Sequence, residues 1–221
     1  MNPEKRYYPL NDFLKEKFGC KVYKVSLDAG FTCPNRDGSL ASGGCIYCDS
    51  RGSAAPIIDS ELSIREQMEA GIAFGKRKYN AKKFIAYFQA FSNTYAPVEK
   101  LKKLYDDALS FDDVVGLSIS TRPDCAPNSV LDLIEGYTRD YHVRKPHRRQ
   151  RLSVWIEYGL QSIHHRTLQL INRKHGLAEF IDAVLRTKGR SINICAHVII
   201  GLPGETIDEI LETAKLIAAL R

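Results

Sequence analysis

Residues Ile192–Leu220 read INICAHVIIGLPGETIDEILETAKLIAAL, one complete strand–turn–helix unit. The opening nine residues, Ile192–Ile200, are nearly all apolar and rich in β-branched side chains, as a strand covered on both faces requires. Gly201, Pro203 and Gly204 end that run in a tight turn. The period then changes. Ile207, Ile210, Leu211, Ala214, Ile217 and Leu220 fall on one helical face. Thr206 and Glu209 stand where a capping box would start that helix.

Working upstream, the same unit recurs four times. Strand-like runs occur at Lys21–Leu27 (KVYKVSL), Phe84–Phe88 (FIAYF), Val114–Ile119 (VVGLSI) and Leu152–Ile156 (LSVWI). Helical patterns follow at Leu62–Lys78, Val98–Leu109, Ser129–Arg139 and Arg166–Thr187, the last broken near Gly176. Five βα units in series, with no Asn-Gly hairpin signal, predict an α/β fold. Its parallel strands would curl into a partial, open TIM-type βα barrel as one domain over residues 1–221. Five strands do not close such a barrel. An edge strand is therefore expected to stay exposed unless a further segment or a partner covers it.

A chain of 221 residues with 44% hydrophobic and 26% charged residues fits an ordinary globular domain. No apolar run is long enough for a membrane span, and MNPEKRYYPLNDF lacks a secretory signal, so the expected location is the cytoplasm. Six cysteines there read as ligands or buried thiols rather than disulfides. The net charge of +6 fits a polyanionic partner without requiring one.

Cysteine spacing points to the chemistry. Ala29–Ser50, AGFTCPNRDGSLASGGCIYCDS, carries C-x11-C-x2-C in a segment rich in turn formers: Pro34, Asn35, Gly38, Gly43 and Gly44. It follows the first strand, which places it on the barrel face where active sites gather. Cys45 and Cys48 can grip one inorganic centre, with Cys33 closing from the far end. Three thiolates are one short of the four that saturate zinc or a four-iron cluster, so a cluster held here keeps one iron open to a chelating ligand. A structural zinc site with Cys20 as fourth ligand is the rival, although Cys20 precedes the strand and lies toward the opposite face. Inert buried thiols are a third reading, and the one that best suits Cys125 and Cys195.

With these residues in view, the sequence resembles the YhcC/YtqA-like radical SAM family, related to the radical SAM domain of the Elongator catalytic subunit. The loop CPNRDGS…GGCIYC, with Tyr47 before its last cysteine, is similar to that family's cluster loop, although longer than the commonest CxxxCxxC. YFQAFSNTYAP (Tyr87–Pro97), LSISTRPD (Leu117–Asp124), WIEYGLQS (Trp155–Ser162), NRKH (Asn172–His175) and HVIIGLPGET (His197–Thr206) follow in family order. The resemblance implies a [4Fe–4S] cluster on Cys33, Cys45 and Cys48 and reductive cleavage of S-adenosylmethionine.

It also implies roles for other residues. Gln89, Ser92, Asn93 and Thr94 stand where many radical SAM enzymes hold the methionine amine with Gly-Gly-Glu, a motif missing here; the plain alternative is a polar turn. Ser118, Ser120 and Arg122 end the third strand, with the Arg122 fork suited to a ligand carboxylate or phosphate, or else to a surface salt bridge with Asp124. Glu157 is expected in the S-adenosylmethionine pocket beside Gln161 and Ser162, or else in a structural ion pair. Arg173 suits the methionine carboxylate or the substrate, and His175 a proton-transfer or helix-capping role. Ile199, Gly201 and Leu202 suit the adenine.

For substrate, the resemblance and the basic stretch Arg139–Arg151 (RDYHVRKPHRRQR) point to tRNA, with remodelling of a wobble-uridine side chain as the leading expectation. An external flavodoxin- or ferredoxin-type electron donor is expected, and neither a membrane nor DNA. Two alternatives stay open: radical chemistry on a small metabolite or protein, and a non-catalytic zinc-stabilised RNA-binding module.

Overall fold

A computed structural model describes residues 6–55, 61–139 and 152–220. The elements run α1 (Leu10–Phe18), β1 (Val22–Leu27), α2 (Ile64–Tyr79), β2 (Lys83–Phe88), α3 (Val98–Ala108), β3 (Val114–Thr121), α4 (Asn128–Arg139), β4 (Ser153–Gln161), α5 (His165–Leu170), α6 (Leu177–Thr187), β5 (Asn193–Val198) and α7 (Ile207–Ala219). All five strands are parallel and pair in chain order, β1-β2-β3-β4-β5. This is the open, partial barrel that the alternating pattern predicts.

The two faces of the sheet differ, because successive strand residues point to opposite sides. Val25, Leu27, Ala86, Phe88, Leu117, Ile119, Val154, Ile156, Tyr158 and Leu160 turn outward. They meet Met68 of α2, Leu101 and Tyr105 of α3, Ile134 of α4 and Phe180 of α6 in one buried core. Each such side chain contributes about 2 kcal/mol by leaving water. The inner face is far more polar: Lys24, Tyr87, Ser118, Ser120, Glu157 and His197 point into the lumen.

Helix starts follow local chemistry. Ser63 with Glu66 caps α2, and Thr206 with Glu209 caps α7, each as a reciprocal box. Two features depart from the sequence reading. First, a helix outside the five expected units, α1, precedes β1 and closes the N-terminal end of the lumen; Leu10, Phe13, Leu14 and Phe18 share one face of it and Gly19 ends it in a left-handed cap. Leu14 packs on Val22, Ile85 and Val115, Phe13 meets Trp155 edge-on at 5.8 Å, and Lys17 donates to the Ser153 hydroxyl at 3.0 Å. Second, β4 continues five residues past Ile156. The break expected near Gly176 is present: α5 and α6 are separate helices, joined by a turn in which Asn172 and Lys174 take left-handed backbone conformations. That turn holds Arg173 and His175.

The outer strand β5 is lightly covered: none of its six residues is fully buried. In α7 only Thr213 is, with Ile207 76% and Leu211 50% exposed. The expected exposed edge is therefore present. Of the basic stretch, residues 140–151 lie outside the described residues. Among the described residues, no helix is long and apolar enough to cross a membrane.

Candidate active site

Above the C-terminal ends of the strands lies a cavity of about 260 Å³. Its walls include Cys33, Cys45, Tyr47 and Cys48 from the loop after β1, Gln89 after β2, Ser120 and Arg122 at the end of β3, Gln161 at the end of β4, and Arg173 from the turn before α6. With His197 of β5 also in the wall, the structure gathers residues from six separate chain segments around one space.

The cysteine loop is shaped by its own main chain. Arg36 and Asp37 amides donate to the Cys33 carbonyl, Gly44 donates to the Asn35 carbonyl, and Cys48 donates to Cys45. Two cross-links tie the loop to the α5–α6 turn. The Asn35 amide donates to the Asn172 carbonyl at 2.6 Å, and the Asn172 amide returns a bond to Gly44 at 2.7 Å. Two donors from this junction approach the buried Cys45 sulfur: Asn35 Nδ2 at 3.4 Å and Arg173 Nη1 at 3.7 Å. Donors aimed at sulfur suit a metal-bound thiolate. Ser53 points its hydroxyl at Cys48 Sγ from 3.8 Å.

Gly159 makes room for the arginine. A Cβ there would stand 2.6 Å from Arg173 Nη2, which donates to the Gly159 carbonyl at 2.6 Å. Arg122, 2% exposed, is held by a fork onto Asp124 (2.9 and 2.7 Å) and donates to the Arg173 carbonyl at 2.9 Å. Burial opposes its charge, but the Asp124 carboxylate outweighs that and raises its pKa. Arg122 thus forms the Asp124 pair, buried rather than on the surface, and also borders the cavity.

Buried side-chain atoms without a protein partner concentrate around this site. Among the described residues they are Asn35 Oδ1, Tyr47 OH, Ser92 Oγ, Asn93 Oδ1, Arg173 Nε and His175 Nε2. An orphaned buried polar atom is costly, and a cluster of them beside a cavity is the signature of a missing polar ligand. A cysteine-ligated cluster with S-adenosylmethionine fits this donor set, because its thiolates and carboxylate accept what Arg173 and Tyr47 offer. Among the described residues, the loop thiols do not converge within reach of a single ion, and Cys20 sits at the other end of β1.

Several expected site residues do other work. The Asn93 amide donates to the Ser120 carbonyl at 2.8 Å, and Thr94 ties Thr121 to the Cys125 carbonyl. Leu202 and Ile199 pack with Leu168, Ile171 and Tyr47, behind the loop rather than in the cavity wall. Gly201 is exposed, with φ +89°. His175 does not cap α6; Glu179 does. Burial, with Arg173 and Arg122 nearby, lowers the His175 pKa to about 4 and keeps it neutral. Cys125 is a buried thiol pushed up to about 12, as the inert reading expects.

Glu157 needs a correction of place. Its neighbours are not Gln161 and Ser162. Gln161 lies on the cavity wall, and Ser162 bonds Glu205. Glu157 is 5% exposed inside the lumen, where Lys24 Nζ (2.5 Å) and Ser118 meet Oε1 and His197 Nε2 (2.7 Å) meets Oε2. Burial alone would raise its pKa, but His197, Lys24 and Ser118 pull it down to about 2. His197 rises to about 9 through its bonds to Cys195 and Glu157. Cys195 therefore belongs to a polar layer, not to an apolar core. Period-two alternation along β1 and β5 would have put Lys24, Cys195 and His197 on the inner face; reading those strands as continuously apolar hid them.

The Radical SAM superfamily model matches residues 33–217. The chain belongs to that superfamily. YtqA of Bacillus subtilis is 43% identical over 99% of this chain, and YhcC of Escherichia coli K12 is 40% identical over 91%. The chain spans 65% and 61% of their lengths. A tRNA uridine(34) acetyltransferase of Methanocaldococcus infernus is 29% identical over 42% of this chain and 15% of its own length. The solved archaeal Elp3 of Methanocaldococcus infernus superposes with TM-score 0.57 at 19% identity, covering 89% of this chain and 42% of that one. That likeness bears on fold alone.

Proposed function

We propose that this radical SAM chain holds a [4Fe–4S] cluster on Cys33, Cys45 and Cys48 and cleaves S-adenosylmethionine reductively. One observation carries the reading: the three cysteines line one cavity in which Asn35 and Arg173 aim donors at the Cys45 sulfur and buried polar atoms lack partners. A cluster held by these cysteines would supply one-electron reduction chemistry toward S-adenosylmethionine, with an external flavodoxin- or ferredoxin-type donor as the electron source. The residues supply the setting. Arg173 and Asn35 stabilise negative charge on sulfur. Tyr47 OH, Ser92 and the free Nε of Arg173 offer hydrogen bonds to a polar ligand, and Gln89, Ser120 and Gln161 border it. Phe91 borders the cavity, and the Asn35–Asn172 ties fix the loop against the α5–α6 turn.

We further propose tRNA as the substrate, with a wobble uridine as the target. The tRNA uridine(34) acetyltransferase segment, the resemblance to the Elongator subunit and the sequence charge of Arg139–Arg151 support it. Anaerobic reconstitution with iron and sulfide, followed by assay of 5′-deoxyadenosine, tests the chemistry. The expected result is about four irons per chain and product release, both lost in Cys45→Ala. A colourless zinc protein without product would overturn it. For the substrate, an unchanged tRNA nucleoside profile in a deletion strain sinks the tRNA reading and leaves a small-molecule or protein target.

A further inference from the structure

Below the cavity, the lumen contains a second set of metal-ligand atoms that uses none of the loop cysteines. A carboxylate oxygen of Glu157, Cys195 Sγ and a ring nitrogen of His197 all lie within 4.8 Å of one another. Strand pairing creates the set. Glu157 on β4 pairs directly with Cys195 on β5, and His197 is two residues further along β5, hence on the same face. Lys24 and Ser118 hold Oε1 of Glu157, so that Oε2 faces β5.

We propose that Glu157, Cys195 and His197 form a site for a divalent cation of the zinc class. One thiolate, one imidazole and one carboxylate are borderline-soft ligands suited to zinc or cobalt, and the wrong set for magnesium or calcium. The charges balance: a divalent ion meets one thiolate and one carboxylate, displacing the Cys195 thiol proton and any proton on the coordinating His197 nitrogen. Tetrahedral bond lengths place neighbouring ligand atoms about 3.3–3.6 Å apart. The His197–Glu157 contact of 2.7 Å must therefore open by somewhat over half an ångström, a small side-chain movement. Lys24 stays on the other carboxylate oxygen and orients the ligand, as outer-shell partners do. Three protein ligands leave a fourth position free, and His197 also lines the cavity above, so an ion here has a route to the space beside the cysteine loop.

The site is independent of the cluster, and the test separates the two. Cobalt(II) titration of a Cys33→Ser/Cys45→Ser/Cys48→Ser variant, checked for folding by circular dichroism, should show one equivalent with a thiolate charge-transfer band and tetrahedral d–d bands. Zinc should bleach these bands. Adding Cys195→Ser should abolish the charge-transfer band, and His197→Gln should weaken binding at least tenfold. No thiolate-type cobalt in the triple variant, or an unchanged spectrum after Cys195→Ser, overturns the proposal. If the triple variant does not fold, zinc is counted in iron-loaded wild type against Cys195→Ser. One zinc lost in the variant supports the site, and equal content refutes it.

Discussion

Arg173 joins Cys45 to Gly159: Nη1 stands 3.7 Å from the buried sulfur, while Nη2 donates to the glycine carbonyl at 2.6 Å. One guanidinium thereby couples the cysteine loop after β1 to the end of β4, and its Nε remains unpartnered beside the cavity. A lysine cannot reproduce this fork. Arg173→Lys should fold, retain iron and lose roughly 10–100-fold in 5′-deoxyadenosine formation, the worth of a hydrogen bond to a charged group. Wild-type rates would show that the arginine is structural only.

Gly159→Ala tests the same relationship from the other side. The added methyl would lie 2.6 Å from Arg173 Nη2 and 2.7 Å from Gln161 Nε2, so the guanidinium must move. Overpacking of this kind costs about 1–3 kcal/mol. The expected outcome is a modest fall in thermal midpoint and a much larger fall in product formation; equal falls in both would mean that the arginine position does not matter.

Leu14 anchors α1 under the barrel against Val22, Ile85 and Val115. Leu14→Ala should destabilise the protein by about 2–4 kcal/mol, because the rigid sheet cannot collapse into the gap. Urea unfolding measures this. A change below about 1 kcal/mol would mean that α1 is loosely held.

Acid should weaken the cofactor-free protein in two steps. His175 has a folded pKa of about 4, below its ordinary 6.5. As pH falls from 6.5 to 4 the unfolded chain takes up a proton that the folded chain refuses, so stability drops. Glu157, about 2 against an ordinary 4.5, adds a second loss between pH 4.5 and 2. His197 works in the opposite sense: its contribution is full below pH 6.5 and lost as pH rises through about 9. Stability should therefore peak near pH 6.5, and His175→Gln should flatten the slope between pH 6.5 and 4 in urea titrations. An unaltered slope would mean that His175 is protonated in the fold.

Much of the fold was legible because each outward strand face buries apolar residues against an amphipathic helix, which leaves a double signature. The failures within the strands share one cause. Glu157, Gly159 and Gln161 look like strand breakers, yet they lie inside β4, because every second position faces a polar lumen. The same oversight hid Lys24 and His197. Helix α1 carries a local signal, the Leu10, Phe13, Leu14, Phe18 face before the Gly19 cap, but it stands ahead of the first βα unit and outside the repeating pattern. Around the cysteines, motif and spacing singled out the loop, but not Asn35, whose importance lies in reaching Asn172, 137 residues away in sequence.

The scant cover over β5 has a thermodynamic side. Its backbone should exchange hydrogens well before that of β1 to β4, since local opening there exposes little apolar surface. Yet this strand carries Cys195 and His197 opposite Glu157, which is seated deep in the sheet. Any guest that bridges the two strands prefers the closed arrangement, so its free energy of association adds to the docking of β5. Occupancy of the lumen and seating of the outermost strand then become a single linked equilibrium, and protection of residues 193–198 in a deuterium-exchange experiment reports on both.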